Sequence, residues 1–289
     1  LVAGRYGIGI GLDRVGELKL PFFQSLGFGA KNTMYFLWAI IVGFGQLITG
    51  QIPLDAVSGP VGIVGQVGEA SAIGLSYLRE RGFTDESIRF FSLGYAAEQK
   101  DHFYKKAAKA GYTENYLVET GLVIKNERGF VDRFRGRVIF PIRSMAGRVQ
   151  GFGGRILSTT AKTAKYLNSP ESDVYHKSMV LYGMFEAKKA IAKEDVCYLV
   201  EGYTDVIQMY QQGVENVVSS SGTALTSEQI RLIRRLTSNI VVLFDGDAAG
   251  LRAAIRGIDL ILEQGMNVKV CTFPVGEDPD SFAKSHTLD

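Results

Sequence analysis

Cysteine and histidine are nearly absent, which removes whole classes of chemistry before any motif is considered. The two cysteines, Cys197 and Cys271, stand in the apolar runs VCYLV and VKVCTF, where both are expected to pack as small buried hydrophobes. Two thiols cannot frame a disulfide scaffold. With only His102, His176 and His286 scattered along the chain, no zinc is expected either. Low-complexity composition is lacking as well. Hydrophobic residues make up 46% and charged residues 21% of 289 positions, the balance of an ordered chain long enough for two domains, or one domain with an appendage.

Net charge is small, at +2, but only because opposite halves cancel. Residues 129–193 hold twelve Lys/Arg against four Asp/Glu, a balance of +8, and residues 194–289 hold seven against fourteen, a balance of −7. A basic segment followed by an acidic one predicts two cooperating surfaces, one attracting polyanions and the other binding cations.

Charge is missing altogether from Asn32 to Leu54, NTMYFLWAIIVGFGQLITGQIPL, a run of 23 residues. That length suffices for a membrane-spanning helix, and Tyr35, Phe36 and Trp38 sit near one end as interfacial aromatics do. A buried core helix rich in glycine is the alternative. A signal peptide is excluded by the position of the run and by the lack of a short apolar core before a small-residue cleavage site. Arg14, Lys19 and Lys31 precede the run, and no basic residue follows until Arg79, so loop charge does not support a simple cytoplasmic exit. GRYGIGIGL reads as the last strand of a small β-rich module. SGPVGIVGQVGEAS, with the span before it, resembles the loop after the third transmembrane helix of site-2 intramembrane zinc metalloproteases, downstream of their PDZ domain. The HExxH that holds that family's zinc is absent, so no protease activity is expected from residues 1–70. Near Ser71 the pattern changes, without a Pro/Ser linker, to amphipathic helices with Thr84 as an N-cap. The chain therefore reads as a chimera.

Residues 72–128 read as short helices separated at Gly82, Gly94, Gly111 and Gly121. In DRFRGRVIFPIRSMAGRVQGFGGRIL, Arg133, Arg135 and Arg137 alternate with other residues, which predicts one arginine-bearing strand face. SMAG is expected to turn the chain into a partner strand carrying Arg148 and Arg155, followed by Lys165, His176 and Lys177. No acid interrupts Arg133 to Lys165. Such a platform would bind phosphate backbones without reading bases, although a solvated strand face has the same pattern.

From Asp195 onward strands and helices alternate: VCYLVEG, TDVIQMYQQG, ENVVSSSG, TSEQIRLIRRLTS, NIVVLFD, AAGLRAAIRGIDLILEQG and NVKVCTFP. Short loops between them predict a parallel sheet flanked by helices, with ligands beyond the carboxyl ends of its strands. Acids stand at those ends: Glu201, then Asp245 and Asp247, then Asp278 and Asp280. A single DxD is as often a cap or turn, but four or five carboxylates on one rim repel one another unless cations neutralise them. Oxygen-only donors of this kind suit Mg²⁺ or Mn²⁺. Gly202, Gly222 and Gly246 leave room for a phosphate near the backbone.

EGYTD, SGTALT, FDGDAAG and GEDPDS, in this order, resemble the Toprim motifs of bacterial DNA primases, and RFRGRVIFPI, GFGGR, KYLNSPES and HK…LYG resemble that family's basic subdomain. Toprim modules of topoisomerases and recombination nucleases lack the latter segment. The resemblance implies an α/β fold in which a Toprim-type parallel sheet follows a mixed α/β basic subdomain and the N-terminal membrane-helix fragment. The implied divisions are 1–70, 72–193 for the basic subdomain, 194–275 for the Toprim domain, and 276–289 as the start of a helical subdomain. It further implies cytoplasmic synthesis of RNA primers on single-stranded DNA from ribonucleoside triphosphates. Glu201 would be the general acid/base or metal-proximal group, and Asp245 and Asp247 the Mg²⁺ ligands completed by Asp278 and Asp280. Arg133, Arg135, Arg137, Arg155, Lys165, His176 and Lys177 would hold template and nucleotide. The family's zinc module and its helicase-binding region have no counterpart here, so a replicative helicase is not expected to dock on this stretch. Two alternatives stay open: a catalytically impaired nucleic-acid-binding fragment, and a membrane-anchored chimera with neither parent's activity intact.

Overall fold

A computed structural model describes residues 72–157, 163–222, 224–244, 257–273 and 279–285. The expected membrane span at 32–54 and the whole protease-like segment lie outside the described residues. Among the described residues, no helix is long and apolar enough to cross a membrane.

The first half is built around an antiparallel sheet. Helices α1 (Ala72–Glu80) and α2 (Asp85–Phe90) lead into β1 (Gly94–Ala96). Thr84 caps α2 as expected, its hydroxyl accepting from the Ser87 amide at 3.1 Å. Helices α3 (His102–Lys109) and α4 (Glu114–Glu119) follow, then a hairpin of β2 (Val123–Asn126) and β3 (Gly129–Asp132) that replaces the helix expected up to residue 128. Its turn closes locally: Asn126 Oδ1 accepts from the Arg128 amide at 3.0 Å, and Gly129 takes a φ of +100°. Asp132, at the end of the hairpin, caps α3 by accepting from the amides of Phe103 (2.7 Å) and Tyr104 (3.0 Å).

Strands β4 (Arg137–Arg143), β5 (Val149–Ile156) and β6 (Tyr166–Asn168) complete a sheet of order β1-β4-β5-β6. The turn between β4 and β5 falls where SMAG placed it. The arginine-bearing strand face does not form. Residues 133–136 are a turn, because Gly136 adopts a φ of +67° and its amide donates to Ala96 O at 2.8 Å, so the strand begins only at Arg137.

Helix α5 (Met184–Glu194) leads into the second sheet: β7 (Cys197–Val200), α6 (Tyr203–Gln211), β8 (Val217–Ser219), α7 (Ser227–Arg234), β9 (Asn239–Phe244) and β10 (Asn267–Thr272), then α8 (Pro279–Ser285). Residues 257–263, ahead of β10, are helical. The strands are parallel in the order β10-β9-β7-β8, as the alternating pattern predicts. Thr226 caps α7 in a reciprocal box with Gln229. One face of this sheet packs Leu199, Val218 and Val242 against Met184, Ile191, Ile230 and Ile233 from α5 and α7. The other face packs Val200 and Leu243 against Val206 and Ile207 of α6, in a core that continues into Val138, Phe140 and Ile142 of β4. The two sheets thus share a core. Cys197 is buried as expected, but Cys271 is exposed, because β10 is an edge strand whose side chains mostly face outward.

Candidate metal and nucleic-acid site

In the order β10-β9-β7-β8, the chain leaves β7 toward one side of the sheet and leaves β9 toward the other, so the topological switch lies between the carboxyl ends of β7 and β9. β7 ends at Val200 and the exposed Glu201 comes next; β9 ends at Phe244 and Asp245 is the next residue in the chain. The parallel register pairs Leu199 with Val242, which carries both strands to this rim in step. Asp245, Gly246, Asp247 and Asp278 lie outside the described residues. Among the described residues, no group of three His, Cys, Asp or Glu side chains could hold a metal ion. The residues that directly follow β7 and β9, Glu201 and Asp245, are both carboxylates in the sequence, donors of a type that fits a hard divalent cation.

The loop after β7 is set by local bonding. Gly202 caps α6, and its amide donates to Asp205 Oδ2 at 2.8 Å. The carbonyl of Glu201 accepts from the Ser219 hydroxyl at 2.7 Å, and that hydroxyl accepts from the Ser221 amide at 2.8 Å. Ser221 adopts a φ of +56° and Gly222 one of +78°; the space beside the Gly222 Cα is open. This rim is joined to the antiparallel sheet by Asn168, the last residue of β6. Its Nδ2 donates to Ser221 O at 3.0 Å, and its Oδ1 accepts from the Tyr203 hydroxyl at 2.7 Å. Tyr203 is buried, stacks on Phe140 at 5.0 Å, and meets Tyr182 edge-on at 4.8 Å. Burial pushes its phenol well above the ordinary range, so the hydroxyl stays a donor at any physiological pH. Asn168, Tyr203, Ser219 and Ser221 are not singled out by the sequence, although KYLNSPES, EGYTD and ENVVSSSG contain all four.

The expected basic residues divide into different environments. Arg135 is exposed at the tip of the 133–136 turn, and Lys165 is exposed just before β6. Arg155 lies between two rings, 5.3 Å from the Tyr77 centroid and 5.5 Å from that of Tyr166, and donates to the Tyr166 hydroxyl at 3.1 Å. Arg133 is half-buried with its Nε shut away from solvent. Arg137 is 5% exposed, and its guanidinium donates to the carbonyls of Gly154 (3.3 Å), Lys165 (3.2 Å) and Ala164 (3.0 Å). Burial lowers the pKa of both Arg133 and Arg137, with Arg135 adding repulsion at Arg137. His176 is exposed and sits 3.2 Å from Glu171, whose other oxygen accepts from the Lys177 amide at 3.0 Å. The buried Gln229 side chain staples that segment to α7 by donating to Lys177 O (3.0 Å) and Val180 O (2.8 Å). Asp280 is also buried, and its carboxylate is bound by Arg81 and Lys284.

Two family profiles match in tandem: "DNA primase catalytic core, N-terminal domain" over residues 67–188, and "Toprim-like" over 198–283. The chain is 42% identical over 211 residues to a DNA primase of Clostridium acetobutylicum, an alignment covering 73% of this chain and 35% of that protein. It thus spans about a third of the length of the curated relatives it matches. Among solved structures, a DNA primase domain from Pseudomonas aeruginosa superposes with a TM-score of 0.70 at 37% identity, covering 81% of this chain and 74% of that one. A DnaG primase catalytic domain bound to single-stranded DNA superposes with a TM-score of 0.69 at 38% identity, covering 76% and 72%.

Proposed function

The chain belongs to the DnaG-type DNA primase catalytic-core family, and from that premise we propose that it carries the nucleotidyl-transfer centre for RNA primer synthesis on single-stranded DNA. The observation that supports this most directly is the Asn168 junction, which ties the basic sheet to the carboxylate rim within two hydrogen bonds. A template held on the basic side would thereby be presented to the acidic side. In this reading Glu201, Asp245, Asp247, Asp278 and Asp280 form the set that holds Mg²⁺ or Mn²⁺. When bound, the ion supplies neutralisation of the triphosphate and activation of the primer 3′-hydroxyl for in-line attack. Arg135, Arg155 and Lys165 engage template phosphates, and Lys177 and His176 approach the incoming ribonucleotide. The exposed ring of Tyr166, with Arg155 against it, gives a base a face to stack on. Gly202, Gly222 and Gly246 leave the triphosphate room at the rim.

The test uses the full chain with single-stranded DNA, ribonucleoside triphosphates and either metal. Metal-dependent ribonucleotide incorporation is expected, and it should be lost in Glu201→Gln and Asp245→Asn. Binding of DNA without product in either metal would refute the proposal and favour a catalytically impaired nucleic-acid-binding fragment.

For the stretch before residue 67, which neither matched segment covers, the reading as a site-2-protease-like fragment with a membrane span at 32–54 rests on the uncharged run and the GPVGI loop alone. In this proposal the primase part acts in the cytoplasm and the join near Ser71 brings two parents together. Long sequencing reads across residues 60–80 of the source DNA should show two separate frames. One unbroken frame would overturn an assembled join and leave a membrane-anchored fusion.

A further inference from the structure

The turn between α1 and α2 clamps two distant helices. Gln211, at the end of α6, donates to Gly82 O at 2.9 Å and accepts from the Thr84 amide at 2.8 Å. Arg81, in the same turn, donates to Asp280 Oδ2 at 2.9 Å across 199 residues of sequence, and Lys284 donates to the same oxygen at 2.7 Å. Both clamped helices start just after a rim segment: α6 follows Glu201, and α8 follows Asp278. The Asp280 side chain is only 8% exposed, and its Oδ1 is shut off from solvent without a partner among the described residues.

A carboxylate in this state is a poor ligand for a divalent ion. Its charge is already balanced by two cations, its Oδ1 is closed to solvent, and a dication there would face Arg81 and Lys284. We propose that Arg81 is a positioning residue: with Lys284 it fixes Asp280, and through Asp280 the start of α8, so that Asp280 orients the carboxylate rim and does not ligate the metal. The inference rests on the metal-rim reading above and goes beyond it in removing Asp280 from the ligand set and assigning Arg81 a role.

Mn²⁺ titration calorimetry on the full chain separates the two arrangements. Arg81→Gln and Asp280→Asn should each weaken Mn²⁺ binding by roughly 10-fold, the scale of lost outer-shell support, with unchanged stoichiometry. The double variant should be no weaker than either single one, and Arg81→Lys should recover most of the affinity. If Arg81→Gln does not fold, Lys284→Gln, which leaves one cation on Asp280, should show a smaller loss at the same stoichiometry. Were Asp280 a ligand held back by its cations, removing Arg81 would relieve their repulsion of the ion and tighten binding; that result overturns the proposal, as does unchanged affinity in every folded variant. Glu201→Gln, titrated alongside, reports on the rim itself: if it binds Mn²⁺ as the unaltered chain does, the metal-rim reading fails independently of Arg81.

Discussion

Replacing Arg137 and Arg135 in turn tests whether an arginine of the RFRGR run serves the fold or a nucleic acid. Arg137→Met keeps most of the aliphatic stem and removes a guanidinium that serves the three carbonyls of Gly154, Lys165 and Ala164. Hydrogen bonds from a charged donor contribute roughly 1.5–3 kcal/mol each. The sum is not reached, because residues 164 and 165 are exposed and their carbonyls can return to water, and because the cost of burying the cation disappears with it. A net loss of about 2–4 kcal/mol follows, or roughly 5–15 °C in Tm for a folded region of this size. Arg135→Met, at an exposed turn tip, should stay within about 0.5 kcal/mol of the unaltered chain. Its effect should fall on single-stranded DNA affinity, with the salt slope reduced by about 0.7. Urea melts and salt-dependent fluorescence anisotropy on the same preparations read both quantities. The reverse pattern, a stable Arg137→Met with a reduced salt slope and a destabilised Arg135→Met, would refute the assignment.

Other consequences are equally direct. A methyl at Gly153 would collide with the Tyr203 ring, so Gly153→Ala should cost about 1–3 kcal/mol and loosen the Asn168 junction, seen as a lower urea midpoint with weaker DNA binding. Burial raises the Asp132 pKa despite the two amides it accepts from. Since the folded value exceeds the unfolded one, this group's contribution is fully present below roughly pH 4 and is lost as pH rises through the folded value. The stability advantage of the unaltered chain over Asp132→Asn should therefore shrink from acid toward neutral pH, and urea melts showing it growing would contradict the burial argument.

Much of the fold was legible because its signals are short-range. The caps at Thr84 and Thr226 act over three residues, the SMAG turn over four, and the alternation of apolar strands with amphipathic helices from Asp195 onward specifies a parallel sheet by connection length alone. The same pattern puts the ends of β7 and β9 directly before Glu201 and Asp245. Where local signals were weak the reading failed: the β2–β3 hairpin is exposed along most of β2, leaving no clear alternation, and Gly136 broke the arginine strand.

By itself, the sequence determined most of the helices and strands, the segregation of basic and acidic residues along the chain, and the parallel order that puts Glu201 directly after β7 and Asp245 directly after β9. Only the tertiary structure decided which charges remain available. Arg137 is spent on carbonyls up to 28 residues away, Asp280 on an arginine 199 residues away, and Cys271 is exposed by the edge position of β10. The physical reason is that backbone periodicity and capping are settled within a turn or two of chain, whereas the partner of a buried charge is whatever the fold brings to within hydrogen-bond distance.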